Sequence, residues 1–227
     1  MKVLCLGSGP STKYYSPTTF KGYDALACIN GSVLAACPAY RKWPSVDFYF
    51  GTDWGCRVYD WFSTGVLNSG HLIMHIPLRE TVERILGARR EAVPVEYFYM
   101  FGTETAILKP PGEETMDYRD YGNGPVLACH GTGLHAMLHY FTWRDDVESI
   151  TLLGFDHLIS NGGHLHFYDT PPLNAGERVS HRRKWKEIAK RSATAVKLTL
   201  RRKPVYLHKD DHGVLRDILP PAVTECP

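Results

Sequence analysis

The sequence predicts a single α/β domain of Rossmann-like type, with a parallel-dominated sheet flanked by helices. Three observations carry that expectation. Short apolar runs recur between stretches of helical spacing, the alternation expected of strands joined by crossover helices. Nearly every apolar run stops at Gly, Asn or Asp, small residues that end strands and open turns. The 227 residues are 44% hydrophobic and 22% charged with a formal net charge of +2, which fits one folded domain over residues 1–227 and excludes a disordered chain.

The elements follow in order. Val3–Leu6 is the first strand, closed by the turn Gly7-Ser8-Gly9-Pro10-Ser11. Asp24–Ile29 is the second, ending at Asn30-Gly31, and Asp47–Phe50 the third, ending at Gly51-Thr52-Asp53. Trp54–Val66 has helical spacing that sets Trp54, Val58, Trp61 and Phe62 on one face. His71–Ile76 is a fourth strand, Leu78–Arg90 a helix carrying Val82, Ile85 and Leu86, and Val95–Met100 a fifth strand. Residues 102–124, rich in Pro, Gly and acidic side chains and lacking either period, read as a long mobile loop.

Order returns with a strand at Pro125–Cys129, the turn Gly131-Thr132-Gly133 and a helix over Leu134–Trp143. Ser149–Leu153 is a further strand, ending at Gly154-Phe155-Asp156-His157 and opening a second mobile loop over residues 157–180. His181–Leu200 is the clearest helix, with Trp185, Ile188, Ala189, Ser192, Val196 and Leu200 along one side and basic residues over the rest. A last strand, Val205–Leu207, precedes a Pro-rich tail.

No run approaches the ~18 apolar residues of a membrane span, and the opening apolar run is shorter than the core of an export signal. Six scattered cysteines without a C-x-x-C pair read as reduced packing residues of a cytoplasmic protein.

Function is expected where the turns gather. The strand ends at Gly7, Asn30, Asp53, Gly131 and Asp156 are expected to face one crevice, as in open parallel sheets. Gly7, Ser8, Gly9 and Ser11 would bring backbone N–H groups close to a phosphate, Asn30 could bond a base or ribose, and Thr132 and Gly133 would offer a hydroxyl and donors at a helix start. A dinucleotide fingerprint is incomplete, because Thr12 stands where its next glycine would be, and no Walker loop occurs. Metal ligation by His157, His164, His166 and His181 lacks any H-E-x-x-H or Cys/His pairing, so no metal is expected. The basic run from Arg182 to Lys203 reads as a solvated face, or as attraction for a phosphate-bearing donor or a polyanionic acceptor such as nucleic acid.

In motif order the chain resembles the bacterial sialyltransferases of glycosyltransferase family 42 and the motility-associated glycosyltransferase-like proteins around them. The likeness covers Val3–Ser11, the strand ending at Asn30, the turn Gly51–Asp53, and Gly131 through Asp156 to the His181 helix. It implies a glycosyltransferase-A-like fold and a cytidine-nucleotide sugar held by Gly7, Ser8, Gly9, Ser11, Asn30, Thr132 and Gly133. It makes His181 the general base. Two family tyrosines that steady the donor phosphate are replaced by His157 and by His164 or Leu165, and Asp53 and Asp156 fall on the same turns. The implied activity is metal-independent transfer from a CMP-sugar-like donor, without a separate cofactor, to an acceptor hydroxyl on a glycan, a small molecule or a nucleic acid. Two other readings use the same pocket: a nucleotide-dependent diphosphotransferase like the pterin diphosphokinases, and a non-catalytic nucleotide-binding protein.

Overall fold

Eight strands form one sheet in which every neighbouring pair is parallel. The computed structural model describes residues 1–16, 18–37, 46–113, 124–129, 132–157, 164–167 and 173–224. The strands are β1 (Lys2–Leu6), β2 (Ala25–Ile29), β3 (Val46–Gly51), β4 (Ser69–His75), β5 (Val95–Phe101), β6 (Val126–Ala128), β7 (Ser149–Leu153) and β8 (Val205–Leu207). The helices are α1 (Val33–Ala36), α2 (Asp60–Leu67), α3 (Arg79–Leu86), α4 (Leu134–Thr142), α5 (Ala175–Thr199), α6 (Val214–Ile218) and α7 (Pro221–Thr224).

Strand order is β6-β5-β4-β3-β2-β1-β7-β8. The chain steps outward from β1 to β6, and α4 then returns it across the sheet to β7 on the other side of β1. Order therefore reverses between β1 and β7, which in open parallel sheets is the place where a crevice forms beyond the carboxyl ends of the strands.

Parallel sheets are covered on both faces, which is why these strands read as unbroken apolar runs. Val3, Cys5, Ala27 and Phe50 pack on the side of α4 and α5, while Leu4, Leu6, Cys28 and Tyr49 pack on the side of α2 and α3. Cys5, Cys28, Cys37 and Cys129 carry free thiols. Among the described residues no helix is long and apolar enough to cross a membrane.

Several boundaries depart from the sequence reading. Asp24 lies outside β2, its carboxylate accepting the Lys2 N–H at 2.6 Å. Trp54–Val66 is not one helix: Trp54–Val58 is a 3-10 turn, Tyr59 is extended, and α2 starts at Asp60. That break removes the common face, burying Trp61 and Phe62 but leaving Trp54 53% and Val58 76% exposed. β4 ends at His75, because Ile76 and Pro77 open a 3-10 turn and proline has no N–H to give a sheet. The helix expected to reach Arg90 ends at Leu86, where Gly87 turns the chain with φ +50°. Within the expected loop 102–124, Glu104–Leu108 is a 3-10 turn with Ile107 in the core, and residues 114–123 lie outside the described residues.

The largest correction concerns α5. It starts at Ala175, inside the loop expected to run to residue 180, and its cap is Asn174, not Ser180. The Asn174 side chain accepts the Glu177 N–H and the Glu177 carboxylate accepts the Asn174 N–H, both at 2.9 Å. This reciprocal box satisfies two of the helix's free donors, and the spacing Asn-x-x-Glu announces it in the sequence. Of residues 158–172, only 164–167 are described. At the far end Leu200 is 37% exposed, not inward. The expected tail instead folds as α6 and α7, placing Leu215, Leu219 and Val223 in the core.

Candidate functional site

A cavity of about 730 Å³ opens at the carboxyl ends of the strands, and β1 through β7 all contribute to its wall. Ser8 and Gly9 come from the turn after β1, Ile29 and Asn30 from β2, Thr52 and Asp53 from β3, and His75 from β4. Met100 and Phe101 follow from β5, Cys129 from β6, Thr132 and Gly133 from the start of α4, and Gly154 to His157 from β7. The volume lies in the ordinary range of small-molecule sites.

At the β1–β7 end two turns interlock. A Cβ on Gly7 would lie 2.4 Å from the Gly154 carbonyl oxygen, and one on Gly9 would lie 2.2 Å from the Asp156 carboxylate. Gly154 has φ +81°, and a Cβ there would fall 1.8 Å from Thr12 Oγ1. These glycines therefore allow two strand turns to touch, which corrects the expectation of an open phosphate cradle. Three of the turn's backbone donors are occupied as well. Gly7 N–H bonds Leu153 O at 2.8 Å, Gly9 N–H bonds Gly154 O at 2.7 Å, and Ser11 N–H bonds the Asp156 carboxylate at 2.8 Å. Gly7 does not reach the wall, whereas Ser8 and Gly9 do.

Ser11 is also a supporting residue. Its hydroxyl donates to Asp156 Oδ1 and accepts the His212 N–H at 3.1 Å, so it stands behind the wall. Asp156 itself is on the wall although only 1% exposed, and burial raises its pKa from the ordinary value. Asp211, behind it, accepts the N–H groups of Gly154, Phe155 and Gly213, and burial together with the nearby Asp156 charge pushes its carboxyl up to about 7.

His157 follows with φ +51°, and burial lowers its pKa to about 4, which keeps the ring neutral. Its Nε2 and the Trp185 Nε1 are buried without hydrogen-bond partners among the described residues, and the two rings lie 5.7 Å apart on the wall. The Phe167 N–H bonds Ser8 O at 3.1 Å, which holds residues 164–167 over the first turn. Leu165 and His166 reach the wall there, while His164 is half-buried beside them. His181 is half-buried in the second turn of α5 and is not among the wall residues; it lies one turn before Trp185, on the same helix face. Arg182, Arg183, Lys184, Lys186, Lys190 and Arg191 are exposed.

In the middle of the cavity Asn30 has φ +48° and clamps the next strand end. Its Nδ2 donates to Thr52 Oγ1 at 3.2 Å and its Oδ1 accepts the Thr52 N–H at 3.3 Å. Gly133 permits α4 to start against β2, since a Cβ would sit 1.9 Å from Ile29 Cδ1. Thr132 Oγ1 accepts the Leu134 N–H at 3.2 Å, and Gly131 lies outside the described residues.

One solved structure is similar to this chain. It is the crystal structure of the sialyltransferase CST-II in complex with trisaccharide acceptor and CMP. The match covers 100% of this chain and 89% of that one, at 12% identity and a TM-score of 0.42. No family model matches the chain, and no curated protein matches it.

Among the wall residues that the sequence reading missed are His75 and the aromatic side chains of Trp54, Tyr59 and Trp61. His75 ends an apolar strand as Asn30 ends its own, but that strand was read through to Ile76. Among the described residues no cluster of three or more His, Cys, Asp or Glu could hold a metal ion.

Proposed function

We propose that this chain transfers a sugar from a nucleotide-activated donor to an acceptor hydroxyl. The observation that supports this reading is the convergence of seven strand ends on one cavity at the point where strand order reverses, the place where open parallel sheets bind nucleotides. The nucleotide lies along Ser8, Gly9, the Asn30–Thr52 clamp, Thr132 and Gly133, with the Asp156 carboxylate accepting from ribose hydroxyls. A neutral His157 donates to the leaving phosphate, which in a nucleoside monophosphate carries less charge than in a diphosphate and needs fewer donors. Aromatic walls exclude water that would otherwise hydrolyse the activated sugar. His181 takes the acceptor proton, reaching inward from the turn that precedes Trp185.

Thermal shifts and donor-hydrolysis assays with CMP-, UDP- and GDP-sugars, each with and without chelator, test the reading. Stabilisation by one nucleotide, with chelator-resistant release of nucleoside monophosphate, is the expected result. A magnesium-dependent reaction confined to ATP replaces this reading with the diphosphotransferase, and binding without turnover replaces it with the non-catalytic protein.

A further inference from the structure

The end of the cavity away from β7 has its own chemistry. His75 is only 8% exposed, lies on the wall, and neither ring nitrogen has a hydrogen-bond partner among the described residues. A buried polar group left unpaired costs about 1–3 kcal/mol, so a ligand that completes it gains affinity there. The edge of the ring meets Phe101 at 5.3 Å and 81°. Burial keeps the imidazole neutral, with its pKa near 4, against the opposing pull of Asp53. A neutral imidazole carries one donor and one acceptor, which matches a hydroxyl.

The neighbours narrow the class. Asp53 Oδ1 accepts the Gly55 N–H at 2.9 Å, and its carboxylate, exposed on the wall, can accept from hydroxyls. No Lys or Arg is among the described wall residues; Arg57 lies 4.1 Å over the Trp54 ring. An anionic group would thus meet Asp53 without a wall cation to balance it. Aromatic faces complete the end. Tyr59 stacks on Trp61 at 5.4 Å with 8° between the planes and is itself 56% exposed, and Trp54 is 53% exposed. Exposed aromatic surface at the edge of a cleft marks a binding groove. A pyranose fits such a groove, with apolar C–H bonds on its face and hydroxyls around its rim.

We propose that this end is a subsite for an uncharged pyranose, with His75 and Asp53 reading its hydroxyls and Tyr59 and Trp54 flanking its apolar face. The proposal deepens the transfer reading and rests on it for the sugar's role, but saccharide binding is measured by itself.

The experiment is saturation-transfer NMR titration with methyl glucoside, methyl galactoside and N-acetylglucosamine against glucuronate and N-acetylneuraminate, with CMP, UDP and GDP titrated in parallel. At least one neutral sugar binds, with saturation strongest on ring C–H protons, and the acidic sugars bind about tenfold more weakly or not at all. His75→Phe, which fills the same apolar sleeve, weakens the neutral sugar about tenfold, the value of one lost hydrogen bond. Tyr59→Ala, at an exposed position, weakens it several-fold, and both leave nucleotide affinity unchanged. Should His75→Phe fail to fold, Asp53→Asn, which keeps the oxygen bonded to Gly55, is expected to weaken the sugar in its place. Nucleotide binding without binding of any neutral sugar overturns the subsite and leaves the transfer reading standing. Equal affinity for acidic sugars, or no effect in the folded variants, also overturns it. Sugar binding with no nucleotide bound overturns the transfer reading alone.

Discussion

The Asp211 carboxylate accepts the Gly154 backbone N–H at 2.9 Å, tying the turn that follows β7 to a residue beyond the last strand. The same oxygen accepts the Phe155 N–H at 3.2 Å, so one buried side chain sets the path of the segment that delivers Asp156 and His157 to the cavity. The two carboxyls face each other's charge in a buried setting, which gives the turn a dependence on pH.

Asp211→Asn isolates that dependence. Asp211 moves from an unfolded value of 3.8 up to about 7 in the fold, so between these limits the folded chain keeps a proton that the unfolded chain releases. Its contribution is therefore full below the unfolded value and is lost as pH rises through the folded one. The stability of the parent minus that of Asp211→Asn should fall by a few kcal/mol, at most, between pH 4 and pH 7, then level off. Subtracting the variant removes the opposing effect of the buried histidines. Denaturant unfolding at a series of pH values checks it, and a constant difference contradicts the coupling.

The glycines of the interlocked turns give a second test. Gly9→Val meets Asp156 at 2.2 Å and the Gly154 carbonyl at 2.6 Å, and Gly154→Ala adds a clash to a left-handed backbone, so both should destabilise severely. Gly22 has φ +101° but open space around it, and Gly22→Ala should cost only about 1–2 kcal/mol of backbone strain. Comparable thermal midpoints for Gly154→Ala and Gly22→Ala would contradict the close approach.

Asn30 separates backbone strain from its side-chain clamp. Asn30→Gly keeps the left-handed conformation and removes the bonds to Thr52, whereas Asn30→Ala removes the bonds and adds about 1 kcal/mol of strain. Nucleotide affinity should fall about tenfold in both, with alanine the less stable of the two. Calorimetry with the nucleotide identified by thermal shift measures both quantities.

His139 ties α4 to the sheet. Its Nδ1 accepts the Ala128 N–H at 2.8 Å, which leaves Nε2 to donate to the Lys109 carbonyl at 2.7 Å, and burial lowers its pKa to about 4. His139→Phe keeps a ring there but leaves the buried Ala128 N–H and the part-buried Lys109 carbonyl unpaired, at a cost of about 1–3 kcal/mol in urea unfolding.

His181→Ala tests the assigned base. Transfer should drop about 10²–10⁴-fold with donor affinity unchanged. Parental transfer by this variant moves the role to His157, a wall residue whose buried Nε2 has no hydrogen-bond partner among the described residues.

By itself the sequence determined the parallel α/β architecture and most of the turns that meet at the cavity. These follow from local chemistry: apolar runs long enough for one strand, ended by residues that tolerate turns, as at Asn30, Thr52 and Asp156. The start of α5 was also written locally, in Asn174 and Glu177. Only the tertiary structure decided what those turns do. Whether Gly7 and Gly9 face a ligand or another turn depends on Gly154 and Asp156, which pack against them from 145 residues further along the chain or more. Asp211 shows nothing in the sequence of its hold on Gly154, and no periodicity says that His75 is left without a partner on the wall. A side chain's role at this site is set by which strand end lies beside it, and that is fixed by sheet order, which local patterning does not encode.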